Sequence, residues 1–154
     1  MSVTVWRIVR AEHSETAFSG EGNRLKSGRR NVAGIPMVYT SESIPLAVLE
    51  VRVNLTKDQL WSTFRLIGAA IPETLIRTIA PNRLPKHWQK AEYPENVPRF
   101  GTRWFLAGSS CVLRVPSVVV PQAFNYLINP THPDFGRIEI GRPTKFRFDP
   151  RLFG

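Results

Sequence analysis

The distribution of apolar and polar positions along the chain predicts many short strands and few helices. Residues 3–9 combine β-branched and aromatic side chains, which is typical of a strand, and residues 36–40 and 64–71 contain similar runs. Further strands are predicted at residues 111–115, 117–120, 137–140 and 145–148. In the last of these, Phe146 and Phe148 alternate with polar neighbours, so we expect one face of this strand to be buried.

One helix has a clear start signal. Ser43 is a typical N-cap residue, and Pro45 is tolerated in a first helical turn, so a helix is predicted from Ser43 to about Asn54. A shorter helix is predicted at residues 100–108.

The remaining segments lack a sustained period. Residues 11–36 contain four glycines and are predicted to be irregular, with one helical turn near residues 14–18. The segment from residue 81 to 98 is interrupted by prolines and is predicted to be a connection with one helical turn at residues 86–91. Residues 125–133 are predicted to form a turn-rich loop, and residues 73–79 a short element of undetermined type.

These elements indicate an α+β fold, because strands and helices do not alternate regularly as they do in parallel α/β sheets. No domain boundary is evident, since Trp88 and Tyr93 within the proline-rich connection are expected to anchor it to the core. We therefore expect a single domain over residues 1–154, a length that is ordinary for one domain.

Composition indicates the cellular compartment of the chain and the charge of its ligands. No run approaches the roughly 20 apolar residues of a membrane span, and the N-terminus does not have the pattern of a secretory signal. Cys111 is the only cysteine and is expected to pack in a strand, so a cytoplasmic protein without disulfides is predicted. The net charge of +9 favours anionic ligands such as nucleic acid, acidic proteins or phosphorylated small molecules.

Glu50 is the most informative single residue. On the predicted helix it shares an i, i+3, i+4, i+7 stripe with Leu46, Leu49 and Val53, so it is expected to face the packed side. An unpaired buried charge is costly, which favours a carboxylate that faces a cleft. The alternative is a glutamate at the edge of the stripe, paired with Arg52 or another basic residue.

A loop upstream of this helix carries further candidate residues. Ser27, Gly28, Arg29, Arg30 and Asn31 combine arginine, whose planar fork suits phosphate, with a glycine that lets the backbone approach a ligand. A surface turn would explain the same loop equally well.

Metal chemistry finds little support. The histidines are scattered, and none has a ligand spacing to another His or to Cys, so no metal site is expected; they are His13, His87 and His132.

Several segments in a consistent order resemble the RES domain, the toxin of RES–Xre toxin–antitoxin pairs. The opening VWRIVR, the segment AFSGEGNRL and the stretch SGRRNVAGIPMVYTSES resemble the first part of that family, where a GGRWN-like loop precedes a VYT strand. SIPLAVLEV resembles its Glu-bearing helix, and LRVPSVVVP, NYLINPTHPDF and FRFDPRLFG resemble its C-terminal half.

The resemblance implies an ADP-ribosyltransferase-like fold and an enzyme that degrades NAD, as substrate rather than cofactor, by hydrolysis or phosphorolysis. It implies catalytic roles for Arg29, Tyr39, Glu50 and a serine, which is Ser117 as first choice and Ser110 as the alternative. Substrate-binding roles are implied for Arg29, Tyr39, Ser110 and Asn125. Two residues depart from the family loop: Ser27 replaces a glycine, and Arg30 stands where an aromatic residue is common. If Arg30 adds only to the general positive field, Arg30→Lys should be much milder than Arg29→Lys.

The resemblance also implies an Xre-type antitoxin as partner, contact with nucleic acid only through that antitoxin, and no membrane association. Whether a homodimer forms within the complex is left open. Two alternative functions are considered: an ADP-ribosyltransferase that modifies a macromolecule with the same cleft, and a basic nucleic-acid-binding module without enzymatic activity, whose affinity would fall steeply with salt.

Overall fold

A computed structural model describes all residues from Met1 to Gly154. Its strands are β1 (Ser2–Arg10), β2 (Val38–Ser41), β3 (Phe64–Pro72), β4 (Ile76–Thr78), β5 (Val112–Pro116), β6 (Phe124–Ile128), β7 (Glu139–Ile140) and β8 (Thr144–Phe146). Its helices are α1 (Glu21–Leu25), α2 (Ile44–Arg52) and α3 (Asn96–Ala107). Short 3-10 turns lie at Ala11–His13, Lys57–Trp61, Glu73–Leu75, Pro81–Arg83, Phe135–Arg137 and Pro150–Phe153.

The eight strands form one mixed sheet in the order β4–β5–β6–β2–β1–β3–β7, with β8 also paired to β3. Only β4 and β5 run parallel; all other pairs are antiparallel. The longest ladder joins β1 to β3 over nine residues, whereas β1 and β2 pair at a single position, Trp6 with Ser41. The sheet is therefore weakly joined at its centre, and the two strands diverge beyond this pair.

The buried apolar side chains form three hydrophobic clusters. One includes Val5, Ile67, Val112 and Ile128, and a second lies where Met37, Leu113 and Leu127 pack against Trp104 and Phe105 of α3. The third packs Ile8, Ala47, Leu60, Phe64 and Phe148 beneath α2. The structure combines three helices with one mixed sheet, so the α+β prediction is confirmed.

Helix α2 begins as predicted, but its buried face is shifted by one residue. The Ser43 hydroxyl accepts a hydrogen bond from the Leu46 amide at 3.2 Å, and the proline lies in the first turn. Leu49 and Val53 are 37% and 58% exposed, so the predicted stripe was wrong at these positions. Leu46 is buried as predicted, and the inward face carries it together with Ala47, Glu50 and Val51, because this side of the helix lies over β1 and β2.

Other differences concern the C-terminal half and the irregular segments. Residues 125–128, predicted as the start of a loop, belong to β6 between β5 and β2, because the apolar side chains of this strand pack on both faces of the sheet. Residues 117–120, predicted as a strand, form a bend in which the Ser117 hydroxyl accepts backbone N–H groups. Helix α1 was not predicted, and α3 begins four residues earlier than expected.

None of the three helices combines the length and the apolar character that a bilayer crossing requires.

Candidate active site

A cleft opens where β1 and β2 diverge, next to α2. It consists of two adjoining cavities of about 410 and 680 Å³. They share the lining residues Lys26, Tyr39, Glu50, Asn54 and Asn125, so we treat them as one cleft. Of the residues that the sequence analysis singled out, this cleft contains Arg29, Tyr39, Glu50 and Asn125 in its lining.

Glu50 lies on the inward face of α2 and is held by Ser117. The Ser117 hydroxyl donates a 2.6 Å hydrogen bond to Oε1 of Glu50 and accepts the amides of Val119 and Val120 at 3.1 Å each. Ser117 is only 1% exposed, so both its donor and its acceptor capacity are committed inside the protein. The serine therefore fixes one carboxylate oxygen of Glu50 and leaves the rest of the carboxylate facing the cleft.

Glu50 forms no ion pair, and the alternative of pairing with Arg52 is wrong. Arg52 donates to the carbonyl oxygens of Leu152 and Leu55, and its guanidinium lies 4.1 Å from the ring centre of Phe153. The carboxylate of Glu50 thus has a hydroxyl partner but no neutralising cation at contact distance.

Tyr39 and Asn31 organise the loop that carries the two arginines. The Tyr39 hydroxyl donates to Oδ1 of Asn31 at 2.6 Å and accepts the amide of Arg30 at 2.9 Å. Asn31 is fully buried, and its Nδ2 donates to the carbonyl oxygens of Asn23, Lys26 and Val32. Burial raises the pKa of the Tyr39 hydroxyl, so this group stays protonated and keeps donating.

Gly28 is required at its position in this loop. A Cβ atom there would lie 2.8 Å from the Tyr39 hydroxyl and 2.9 Å from Oδ1 of Asn31, so a side chain would displace the hydrogen bond between them. The glycine therefore allows the loop to close over Tyr39, and this use differs from the direct ligand approach that the sequence suggested.

Arg29 reaches across the cleft to the proline-rich connection. Its Nη1 donates to the carbonyl oxygens of Trp88 at 3.1 Å and Lys90 at 2.5 Å, and its guanidinium lies 4.6 Å from the ring centre of Tyr93. Trp88 and Tyr93 are half-buried, and both lie against the arginines of the loop, through a stacking contact for Tyr93 and a more distant one for Trp88. Only part of the Arg29 guanidinium is committed to these contacts, and the residue still lines the cleft.

Arg30 is not a solvated surface charge, so the condition for a mild effect of Arg30→Lys is not met. The residue is 5% exposed, its Nη2 donates to the carbonyl oxygen of Pro116 at 2.8 Å, and its Nη1 is buried without a partner. Its guanidinium lies 5.7 Å from the ring centre of Trp88. Burial lowers its pKa to about 10, which means that the surroundings disfavour the cation.

Arg7 fills the gap between the diverging strands. Its Nε donates to the carbonyl oxygen of Ala17 and its Nη1 to that of Tyr39, at 2.8 and 2.9 Å. Burial lowers its pKa to about 10. Arg7 thus joins β1 to β2 beyond their single ladder position and adds a fixed positive charge to the cleft wall.

Asn125 and Ser110 differ in their placement. Asn125 lies on β6 against the cleft, and its Oδ1 is buried without a hydrogen-bond partner. Ser110 lies beyond the C-terminus of α3, where its hydroxyl accepts Nε1–H of Trp104 at 2.8 Å and donates to the carbonyl oxygen of Val112. The structure does not bring Ser110 to Glu50, because Ser110 precedes β5, with its hydroxyl committed to Trp104 and Val112, whereas Ser117 follows that strand.

The charge of the cleft is one-sided. Glu50 is the only acidic residue in its lining, which also contains Arg7, Lys26, Arg29 and Arg30. Sequence reasoning did not single out Arg7, Lys26 or Asn54, because only the three-dimensional placement of β1, of the segment after α1 and of the residues after α2 brings them to the cleft. No cluster of three or more His, Cys, Asp or Glu side chains is placed to hold a metal ion.

The chain belongs to the RES domain family, whose domain matches residues 4–149. A protein named Toxin Res from Photorhabdus laumondii is 36% identical over 149 residues, which cover 96% of either chain. A protein named Toxin Res from Pseudomonas putida is 36% identical over 151 residues, with 97% of this chain and 99% of that protein covered. A protein named Prs ADP-ribosylating toxin, from a Sphingobium species, is 32% identical and covers 99% of this chain and 98% of its own length.

A solved structure supports the fold. The crystal structure of the Mycobacterium tuberculosis MbcT–MbcA toxin–antitoxin complex contains a chain that superimposes with a TM-score of 0.79 over 99% of this chain and 87% of its own, at 18% identity. At this identity the likeness establishes the fold alone. The shared fold agrees with the α+β architecture that the resemblance implied.

Proposed function

We propose that the chain is the toxin of a toxin–antitoxin pair and that it cleaves the bond between nicotinamide and ribose in NAD. The observation that carries this proposal is the Glu50 carboxylate, which Ser117 holds at the wall of an otherwise basic cleft. Relatives that match the chain almost end to end are named as toxins, which supports the toxin role.

Glu50 is suited to the sugar end of this substrate. When the C1′–N bond breaks, nicotinamide leaves with the electron pair and positive charge develops on the ribose, as in glycoside hydrolysis. A carboxylate that is already held in place stabilises that charge without reorganising. Water or phosphate then bonds to C1′ and releases a proton, which gives ADP-ribose or its phosphate.

The basic residues are suited to the phosphate end. NAD carries two negative charges on its pyrophosphate, and a guanidinium matches phosphate oxygens with two parallel N–H groups. Arg29 keeps donors free beside Tyr93, and Lys26 lines both parts of the cleft. We assign pyrophosphate binding to Arg29 with help from Lys26, and contact with the sugar or the nicotinamide amide to Asn125, whose Oδ1 has no partner.

The decisive experiment identifies the products. Purified protein is incubated with NAD, with and without inorganic phosphate, beside the Glu50→Gln variant and an exposed control, Glu139→Gln. Nicotinamide release with free ADP-ribose indicates hydrolysis, and ADP-ribose phosphate that forms only with phosphate indicates phosphorolysis. Intact NAD under all conditions would overturn the proposal.

A second function is supported by one relative. The protein named Prs ADP-ribosylating toxin is similar over nearly the whole chain. The alternative is therefore that the ADP-ribosyl group, once nicotinamide has left, is transferred to a macromolecule. Labelled NAD incubated with bacterial lysate separates the two functions: a labelled macromolecule indicates transfer, and labelled small products alone indicate NAD degradation.

We further propose that an antitoxin, expected to be of the Xre type, restrains the enzyme in the cytoplasm. The similar fold in a solved toxin–antitoxin complex and the toxin names of the relatives support a protein partner.

A further inference from the structure

A series of contacts leads from Arg30 to Glu50. Nη2 of Arg30 donates to the carbonyl oxygen of Pro116, the residue that directly precedes Ser117. Ser117 stands at the start of the bend that Val119 and Val120 close onto its hydroxyl, and it donates to Glu50. The Arg30 guanidinium thus holds the backbone directly before Ser117, whose hydroxyl donates to the Glu50 carboxylate.

The backbone of Arg30 is held in place as well. Its backbone amide donates to the Tyr39 hydroxyl. Its carbonyl oxygen lies against Gly101 of α3, where an added Cβ atom would collide with it. Arg30 is therefore a rigid brace between the loop, α3 and the Ser117 bend.

A purely structural brace would not need a charge. Arg30 is buried, forms no ion pair, and leaves Nη1 without a partner. Burying a cation without an anion at contact distance costs free energy that an apolar side chain of the same size would not, and the Glu50 carboxylate favours the Arg30 cation only from a longer distance.

We infer that Arg30 is a positioning residue, which orients Glu50 through the Pro116 carbonyl and the Ser117 bend. The inference rests on the proposed function, in which Glu50 acts on the substrate. Arg29, the neighbouring residue, has a different role, because its donors meet the carbonyl oxygens of Trp88 and Lys90 rather than Pro116.

The kinetic test is a double-mutant cycle. Arg30→Lys keeps the charge but loses the planar fork, so kcat for NAD should fall about tenfold with KM changed less than about threefold. In a Ser117→Ala background the same substitution should change kcat less than about twofold, because the route from Arg30 to Glu50 is already broken. Arg29→Lys serves as the matched control, and its effect should multiply with that of Ser117→Ala. Multiplicative effects for Arg30→Lys, or a rise in KM at constant kcat, would overturn the inference.

A second measurement does not depend on activity. Hydrogen exchange of the Val119 and Val120 amides should be about tenfold faster in Arg30→Lys and unchanged in Arg29→Lys and in Arg103→Gln, an exposed arginine on α3. If Arg30→Lys does not fold, Arg30→Met, which keeps the volume of the buried stem, takes its place. Unchanged exchange would overturn the inference even if NAD turnover is confirmed, and faster exchange would uphold the brace even if NAD is not the substrate.

Discussion

Ser117 and Glu50 meet across the cleft at 2.6 Å although 67 residues separate them in the chain. The serine belongs to the bend that follows β5, and the glutamate belongs to α2, so their contact ties the two walls of the cleft together. The serine hydroxyl is saturated by two amides and one carboxylate. It is therefore a holder of Glu50 in this structure rather than a free nucleophile.

Loss of the Glu50 charge should abolish most of the activity without unfolding the protein. Glu50→Gln keeps the shape of the side chain but removes the charge beside a cationic transition state, so NAD turnover should fall roughly 10²–10³-fold. A neutral amide is also less costly to bury than a carboxylate, so thermal unfolding should change little. Turnover within about twofold of the wild type, measured as nicotinamide release, would contradict the assignment.

The two candidate serines should separate cleanly. Ser117→Ala releases Glu50 and leaves the Val119 and Val120 amides without their acceptor, so kcat should fall by tenfold or more and stability by about 1–3 kcal/mol. Ser110→Ala loses the hydrogen bond with Trp104, so stability should fall by about 1 kcal/mol while kcat stays unchanged. Urea unfolding and steady-state kinetics on both variants decide, and a larger loss of kcat in Ser110→Ala would reverse the choice.

The sequence predicted the elements that carry local signals and missed those set by distant contacts. Helix α2 was predictable because Ser43 and Pro45 mark its start. Its inward face was not, because residues 44–51 are apolar on several sides and only the packing on β1 and β2 selects one. Strand β6 was missed because the turn-forming residues after it dominate the local pattern, whereas pairing with β2 and β5 decides the outcome.

The candidate site shows the same division. Glu50 was predictable as a carboxylate among apolar neighbours, and the resemblance suggested Arg29, Tyr39 and Ser117. The resemblance also separated Arg29 from Arg30, but the burial of Arg30 was not accessible, since adjacent side chains of the same type differ only in what the fold places beside them. Here Arg30 turns inward to Pro116, and Arg29 turns across the cleft to Trp88 and Lys90.

Arg29→Lys should weaken substrate binding more than the chemical step. Lysine keeps the charge but cannot present two parallel donors to a phosphate or stack flat on Tyr93, so KM for NAD should rise about tenfold with a smaller change in kcat. The matched control is Arg103→Gln, which removes an exposed arginine outside the cleft and should leave both constants unchanged. A fall in kcat at constant KM would show that Arg29 acts on the reacting end instead.

Tyr39→Phe should loosen the arginine loop and change the alkaline stability of the protein. The hydroxyl loses its bonds to Asn31 and to the Arg30 amide, so the free energy of unfolding should fall by about 1–2 kcal/mol at pH 8. Burial raises the pKa of Tyr39, so the folded state holds this proton more tightly than the unfolded chain, in which the pKa of tyrosine is about 10. The stabilisation is complete below that pH and declines above it, so the difference between wild type and variant should shrink at pH 10.5. Urea unfolding at both pH values checks the sign, and a difference that grows with pH would contradict it.

The antitoxin should cover the mouth of the cleft, at the loop of residues 24–31 and the bend after Ser117. An enzyme that consumes NAD would poison its own host, so a partner that excludes the substrate is expected. The basic cleft favours an acidic group or a carboxy-terminus on that partner, which would mainly accelerate association.

The apolar side chains at this mouth would hold the complex together: Val53, directly after α2, is 58% exposed, and Val118 and Val119 belong to the bend after Ser117. Val53→Asp places a charge in that interface and should weaken binding by at least tenfold, since an unpaired buried charge is costly. Leu106→Asp is the matched control, because Leu106 is 70% exposed on α3 and lines neither part of the cleft. The chain and both variants are co-expressed with the protein encoded beside it, and complex formation and NAD turnover are compared with those of the free chain. A stable wild-type complex that turns over NAD at the free rate, or equal binding loss in both variants, would show that the partner binds elsewhere.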